Sequence, residues 1–142
     1  MTDFKEENQT ATLTIPTQGS IQVISLKNWI FFMHRVVSGG FNWNLPWNDY
    51  KNGFGSSDSQ DFWMGLERLH LLTTSSSYRV RFEWQEDTTC YWFSVEYWFF
   101  YIEDEAAGYI LHASGYIPGD DGRAMCVRNS YLTYINCEVY FN

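Results

Sequence analysis

WNDYKNGFGSSDSQDFWMGLERLHLLT, residues 47–73, is the stretch that decides the fold of this chain. Three glycines lie among five large aromatic residues in it: Gly53, Gly55 and Gly65 among Trp47, Tyr50, Phe54, Phe62 and Trp63. Glycine adopts backbone angles closed to other residues and lets a second segment approach closely. We therefore expect the aromatic rings to pack on bare backbone. Leu66, Leu69 and His70 then share a face at helical spacing, which predicts a short helix.

The composition predicts one folded domain. A chain of 142 residues is long enough for a single hydrophobic core. Aromatic residues make up 20% of the chain and charged residues only 18%, which argues against disorder and favours a compact, strand-rich domain.

The charge and the absence of a long apolar run each exclude one class of partner. The formal net charge is −8 and no basic run offsets it, so we predict no nucleic-acid partner. No apolar run is long enough to span a bilayer, so we also predict no membrane insertion. The opening MTDFKEENQT lacks the basic and apolar layout of a signal peptide.

Alternating apolar and polar residues predict most of the strands. The pattern is cleanest in residues 78–85, where Tyr78, Val80 and Phe82 face inward and Arg79 and Arg81 face outward. Further strands are expected at residues 11–15, 21–26, 29–37, 91–102, 109–116 and 131–141. The fold class is α+β: a twisted, mainly antiparallel sheet with one or two short helices packed on it. We expect the last strand to lie inside this sheet, beside residues 91–102, because that long aromatic strand would otherwise expose an edge.

The glycine- and aromatic-rich stretch at residues 47–73 resembles the most recognisable segment of the fibrinogen C-terminal, or fibrinogen-related, domain family. The family pattern is W-x-x-Y-K-x-G-F-G, followed by [ED]-F-W-L-G-x-[ED]-x-[IL]-H-x-[IL]-T. The matching residues are Trp47, Tyr50, Lys51, Gly53, Phe54, Gly55, Asp61, Phe62, Trp63, Gly65, Glu67, Leu69, His70, Leu72 and Thr73. Met64 stands where the family has leucine. The resemblance extends from residue 11 to about residue 125.

The resemblance implies a truncated domain. We expect a flexible N-terminus at residues 1–10 and a single fibrinogen-related domain at residues 11–142. Within it, a short link at residues 119–130 replaces the ligand- and calcium-binding subdomain, and residues 131–141 form the final strand. The family's first disulfide is absent because Ser25 occupies one of its positions. We therefore expect a fold that does not depend on disulfides, and whether Cys126 and Cys137 pair stays open.

No motif in the sequence indicates catalysis. Nucleophile elbows and phosphate-binding glycine loops are absent, and Asp120 and Asp121 do not form a calcium loop. His70 is expected to be a hydrogen-bonded structural residue, because the family carries histidine there in proteins that are not enzymes. His34 and His112 have no cysteine or acid at ligand spacing. We predict that the protein is not an enzyme and that it binds no metal and no cofactor.

Aromatic residues beyond the needs of one small core are the best indication of function. Trp43, Trp92, Trp98 and Tyr116 could stack on sugar rings or anchor a protein partner, or they could fill the core. Family members serve as extracellular pattern-recognition lectins of innate immunity, clotting proteins or receptor ligands. The resemblance implies a secreted, lectin-like recognition module that binds a protein or glycan partner. The alternative is a structural remnant or homo-oligomeric assembly unit with no ligand of its own.

Overall fold

The structure, a computed structural model, describes residues 8–26, 29–35, 41–55, 61–86, 92–118 and 135–141. Within them lie nine strands and two helices. In chain order they are β1 (Asn8–Ile15), β2 (Gly19–Leu26), β3 (Trp29–Arg35), α1 (Trp47–Asn52), β4 (Phe54–Gly55), β5 (Phe62–Trp63), α2 (Leu66–Ser75), β6 (Tyr78–Glu86), β7 (Trp92–Ile102), β8 (Leu111–Ile117) and β9 (Ile135–Phe141). The side chains of β9 are not described.

The strands form one antiparallel sheet in the order β1-β2-β3-β9-β6-β7-β8. The short strands β4 and β5 pair with each other, and β5 also pairs with β3. Consecutive strands lie side by side at both ends, as hairpin connections favour. The predicted α+β class is confirmed, because a mostly antiparallel sheet carries two helices.

The position of β9 differs from the sequence prediction. It lies inside the sheet, as expected, but between β3 and β6 rather than beside β7. Val139 is opposite Met33 on one side and opposite Phe82 on the other. The prediction was wrong about the neighbour because both edges of β7 are taken by β6 and β8, the strands that precede and follow it.

The first strand also begins earlier than predicted. Asn8 and Gln9 pair with Leu26 and Ser25, although we expected a flexible segment as far as residue 10. The Ser25 hydroxyl donates a hydrogen bond to the Gln9 carbonyl at 3.2 Å, and this bond holds the start of the hairpin. The predicted link at 119–130, the first part of the predicted last strand, and Cys90 and Cys126 lie outside the described residues.

The core lies between helix α2 and one face of the sheet. Leu69 and Leu72 of the helix are buried against Val80, Phe100 and other apolar side chains. Helix α2 is also tied to the end of β7 by polar groups. The His70 Nδ1 lies 2.9 Å from the Ile102 carbonyl oxygen, and the Thr73 hydroxyl accepts a hydrogen bond from the Ile102 amide at 3.1 Å. His70 is therefore hydrogen-bonded where helix α2 meets the end of β7.

The glycines of residues 47–73 lie where two backbone segments touch. A methyl group on Gly55 would lie 2.1 Å from the carbonyl oxygen of Asp61, and one on Gly53 would lie 2.4 Å from that of Met64. A methyl group on Gly65 would lie 2.6 Å from the carbonyl carbon of Asn52. All three glycines have positive φ angles, which other residues rarely adopt. Only glycine fits these contacts.

Aromatic side chains close over this backbone contact. The Trp63 indole donates to the Tyr50 carbonyl at 2.8 Å, and the Tyr50 hydroxyl donates to the Trp43 carbonyl at 2.5 Å. The Trp43 indole in turn donates to the buried carboxylate of Asp61 at 2.9 Å. Phe54 packs edge-on against both Trp43 and Tyr50. The segment is therefore held by its own rings as well as by the sheet.

Candidate functional site

The structure does not bring the four candidate aromatic residues together. Trp43 is half-buried in the aromatic cluster described above, so its ring serves the fold. The side chain of Trp92 lies outside the described part of the chain. Trp98 and Tyr116 are exposed to 55% and 47%. Of the four, these two remain as candidates for contact with a partner.

Exposed large apolar side chains concentrate at the β7–β8 end of the sheet. Of the eight in the described residues, six lie between positions 98 and 116: Trp98, Phe99, Tyr101, Ile110, Leu111 and Tyr116. Trp98 and Tyr116 were candidates from the sequence, and the other four were not. A signal was present, because five consecutive aromatic residues (97–101) in one strand cannot all face the core when successive side chains alternate.

A β-bulge in β7 places two rings together on the outer face of the sheet. Tyr78 is opposite Phe100, but Val80 is opposite Tyr97, so one extra residue of β7 lies across from Arg79. The register of the buried residues shifts at this point. Phe100 is buried in the core, whereas Trp98 and Phe99 on the bulge are exposed.

Arg79 lies between two tryptophans on this outer face. Its guanidinium carbon is 4.8 Å from the ring centre of Trp29 on β3 and 5.0 Å from that of Trp98 on β7. Both distances are within the range of cation–π attraction. Strands β3 and β7, which carry the two tryptophans, lie on opposite sides of β6 in the sheet. The two rings therefore restrict the guanidinium from both sides.

Carboxylates on the same face bind Arg81 more closely than Arg79. Arg81 donates to Glu96 at 2.6 Å and to Glu83 at 2.5 Å. Burial opposes the charge of Arg81, but these hydrogen bonds and charges outweigh burial and raise the pKa of Arg81 above its ordinary value. Among the carboxylates of the described residues, Arg79 forms an ion pair with Glu96 at 3.6 Å, which is beyond hydrogen-bond range.

A depression opens beside the Arg79–Trp98 contact. It is lined by Ser77, Tyr78, Arg79 and Trp98 and has a volume of about 310 Å³. This volume is at the lower end of the range of about 300–1,000 Å³ for small-molecule pockets. The depression is open to solvent, and its lining includes the Trp98 ring, the Arg79 cation and the polar residue Ser77.

Tyr101, His112 and Glu103 form a second polar cluster on β7 and β8. The His112 ring stacks on Tyr101 with ring centres 4.4 Å apart, and its Nε2 lies 2.5 Å from the Glu103 carboxylate. No acid lies at metal-ligand spacing from His112 in the sequence, but the turn between β7 and β8 brings the Glu103 carboxylate to the His112 ring. Among the described residues there is no group of three or more potential metal ligands.

The acidic turn at residues 103–105 is attached to the rest of the domain. Glu105 accepts hydrogen bonds from Lys51 and from the Trp47 indole, and these bonds lower the pKa of Glu105. Tyr109 donates to Glu67 at 2.5 Å. Burial, together with this carboxylate, raises the pKa of the Tyr109 phenol. The turn is therefore docked on the glycine-rich stretch.

Tyr116 lies on the other side of the sheet from Trp98. Its ring contacts Tyr97, with centres 5.9 Å apart, and Tyr97 packs against the core cluster. Trp98 is the next residue along β7, and successive side chains of a strand point to opposite faces. One flat partner could not cover both rings.

A family profile described as the C-terminal globular domain of fibrinogen beta and gamma chains matches residues 23–142. The chain belongs to this family. The fibrinogen C-terminal resemblance of residues 47–73 is thus confirmed across most of the chain.

The chain matches only part of the length of each of its relatives. The chain is 34% identical over 107 residues to fibrinogen-like protein 1-like protein of Gallus gallus, which is 75% of this chain and 34% of that protein. It is 39% identical over 108 residues to the fibrinogen alpha chain of Homo sapiens, which is 73% of this chain and 12% of that protein. Ryncolin-4 of Cerberus rynchops is 28% identical over 123 residues, 80% of this chain and 35% of the relative.

Solved structures of the family share the fold. The fibrinogen-like globe domain of human ANGPTL6 matches with a TM-score of 0.72 and 26% identity, over 84% of this chain and 54% of that chain. Lamprey fibrin D-dimer, complexed with the peptide ligand Gly-His-Arg-Pro-amide, matches with a TM-score of 0.71 and 27% identity, over 81% of this chain and 38% of that one. The chain therefore spans about half the length of the ANGPTL6 domain. In the part of the chain that the structure describes, no helix is long and apolar enough to cross a membrane.

Proposed function

We propose that this fibrinogen-related domain is a non-catalytic recognition module that binds a protein or glycan partner through the outer face of β6 and β7. The observation that supports this most is the exposure of Trp98 and Phe99, at 55% and 62%, on a bulge beside Arg79. A tryptophan and an arginine in contact are the residue types that dominate binding energy at interfaces. This surface is not required for the core, which lies on the other face.

Family membership supports the same proposal. Among solved relatives, lamprey fibrin D-dimer was solved in complex with a peptide ligand. We extend to this chain the general role of recognition, an extracellular location and the absence of enzymatic activity. Lectin-like binding and a part in innate immunity belong to the same proposal.

The proposal is tested by screening the labelled full chain on a glycan array and on a panel of immobilised extracellular proteins. Any partner is then titrated against Trp98→Ala and Phe99→Ala. Truncation of a central aromatic contact typically costs about 2 kcal/mol or more, so binding should weaken by about 30-fold. Thr10→Ala, on the exposed opposite edge of the sheet, is the matched control and should bind normally. Partners that bind both β7 variants at full strength would refute the proposed surface.

Assembly with a second copy is the alternative, and the edge strand β8 favours it. β8 ends the sheet, and no described residue pairs with its outer side. It contains no lysine, glutamate or proline of the kind that usually protects an edge. Light scattering after size exclusion would give twice the mass of 16.8 kDa if β8 pairs between copies. Ser114→Lys should then restore a monomer, and a wild-type monomer at all concentrations would rule this alternative out.

A further inference from the structure

We infer that the depression beside Arg79 and Trp98 binds an acidic sugar, a pyranose ring that carries a carboxylate. This inference rests on the proposed recognition function and names the ligand class of the same surface. The carboxylate would accept hydrogen bonds from Arg79, and the apolar side of the sugar ring would pack on Trp98.

The first support is the unused donor capacity of Arg79. A guanidinium has five N–H donors. Among the residues that the structure describes, its polar contact is the 3.6 Å ion pair with Glu96, which is too long for a hydrogen bond. Glu96 is engaged more closely by Arg81, at 2.6 Å. The terminal nitrogens of Arg79 are therefore available for a planar, bidentate acceptor such as a carboxylate.

The second support is that the arginine is already held in place. Indoles lie 4.8 Å and 5.0 Å from its guanidinium carbon, and its side chain is only 26% exposed. A free arginine loses rotational freedom when it binds an anion, and such losses reduce affinity. Here Trp29 and Trp98 have restricted the side chain before any ligand arrives, so less freedom remains to be lost.

The third support is the shape and chemistry of the surroundings. The depression of about 310 Å³ suits one ring better than an extended chain. Trp98 offers an exposed aromatic surface next to the cation, and Ser77 adds a hydroxyl at the rim. An aromatic face, a guanidinium and a hydroxyl together match the apolar ring face, the carboxylate and the hydroxyl groups of an acidic sugar. An aspartate or glutamate side chain would use only the arginine.

The net charge of −8 limits the ligand further. A long polyanion would meet repulsion over the whole surface, whereas a single carboxylate meets mainly the groups within a Debye length of about 8 Å at physiological salt. Among the described side chains on this face, Arg79 and Arg81 balance Glu83 and Glu96. The site therefore favours a single acidic sugar or a short oligosaccharide over a highly charged polysaccharide.

The test follows the indole N–H signals of the ¹⁵N-labelled full chain by NMR during titration. The probe is methyl β-D-glucuronide, and methyl β-D-glucoside, with the same ring and no carboxylate, is the comparison. The glucuronide should shift the Trp98 and Trp29 signals saturably, and the glucoside should bind at least about tenfold more weakly, since hydrogen bonds to a charged group account for that factor. Arg79→Gln should abolish the difference between the two sugars. Arg79→Lys should recover part of it, because an ammonium cannot bind bidentately.

Arg35→Gln is the matched control. Arg35 also lies over an indole, at 5.3 Å from the Trp43 ring, but outside the proposed site, and its loss should leave glucuronide binding unchanged. Unfolding midpoints of all variants establish that each is folded. Equal shifts with both sugars, or full binding by Arg79→Gln, would overturn the inference, as would N-acetylaspartate binding as tightly as the glucuronide. If the glucuronide does not bind while binding of an array partner is still weakened by Trp98→Ala, only the acidic-sugar inference fails. If Trp98→Ala weakens the binding of no partner, the proposed function fails as well.

Discussion

Replacement of Gly55 by alanine tests whether this position requires glycine because of steric contact with the facing backbone as well as because of its positive φ angle. Gly55 and Gly108 have similar backbone angles, with φ of 72° and 77°. An L-residue in the left-handed region costs about 1–2 kcal/mol at either site. The surroundings differ: the added carbon at Gly55 would lie 2.1 Å from the Asp61 oxygen and 3.1 Å from the Phe62 Cα, whereas Gly108 has nothing within 4 Å.

Steric overlap therefore adds a second cost at Gly55 alone. Overpacking in a close-packed site costs typically about 1–3 kcal/mol, and here the opposing atoms are backbone and cannot rotate away. We expect the free energy of unfolding to fall by about 1–2 kcal/mol for Gly108→Ala and by about 2–5 kcal/mol for Gly55→Ala. The larger loss is a substantial part of a total stability of about 5–15 kcal/mol.

Urea unfolding followed by tryptophan fluorescence measures the difference. With a slope of about 2 kcal/mol per molar urea, the midpoint of Gly55→Ala should lie about 1 M below that of Gly108→Ala. Equal slopes would show that both variants unfold from the same native fold. Coinciding midpoints would refute the argument, because they would mean that the close approach of residues 55 and 61 contributes nothing.

Four further predictions concern pH, the last strand, disulfides and calcium. Burial and Glu67 raise the pKa of Tyr109, so the contribution of Tyr109 to stability is intact below the unfolded-state pKa of about 10 and is lost as the pH rises above that value. The stability advantage of the wild type over Tyr109→Phe should therefore shrink between pH 8 and pH 11, and a constant advantage would contradict this. Deletion of residues 132–142 removes β9 from between β3 and β6 and should give insoluble protein, so a soluble, cooperatively folding deletion variant would disprove it. Thermal melts with and without reductant should nearly coincide, whereas loss of a native disulfide would cost about 2–5 kcal/mol and lower the midpoint by many degrees. Calorimetry should detect no binding of calcium or of N-acetylglucosamine; saturable heat at micromolar calcium that a chelator abolishes would reveal a site that we did not foresee.

Much of the fold could be predicted because its determinants are local. The spacing of Leu66, Leu69 and His70 is fixed by the chain itself, and helix α2 forms where that period indicated. The alternation in residues 78–85 likewise gives β6, with Val80 buried in the core. The family motif added the glycines, whose role depends on contacts within a segment of about twenty residues.

The candidate site could be predicted only in part. Trp98 was one of four candidate aromatic residues, and its ring is exposed. However, Arg79, which contacts it, and Trp29, which contacts Arg79, come from other strands, 19 and 69 positions earlier in the chain than Trp98. Their meeting depends on the sheet order, in which β6 has β9 and β3 on one side and β7 on the other. No local pattern contains that order.

The sequence by itself determined that the chain forms an α+β domain of the fibrinogen C-terminal family, that its glycine-rich stretch folds onto itself, and that catalysis has no motif to support it. The tertiary structure alone decided that β9 pairs with β3 and β6, that a bulge turns Trp98 and Phe99 outward, and that Arg79 lies between two indoles. The physical reason is that periodicity reports which face of an element avoids water, whereas strand order and bulges depend on competition between pairings of distant segments. A single extra residue in β7 is enough to expose Phe99, a ring that strict alternation from Tyr97 would have placed against the core.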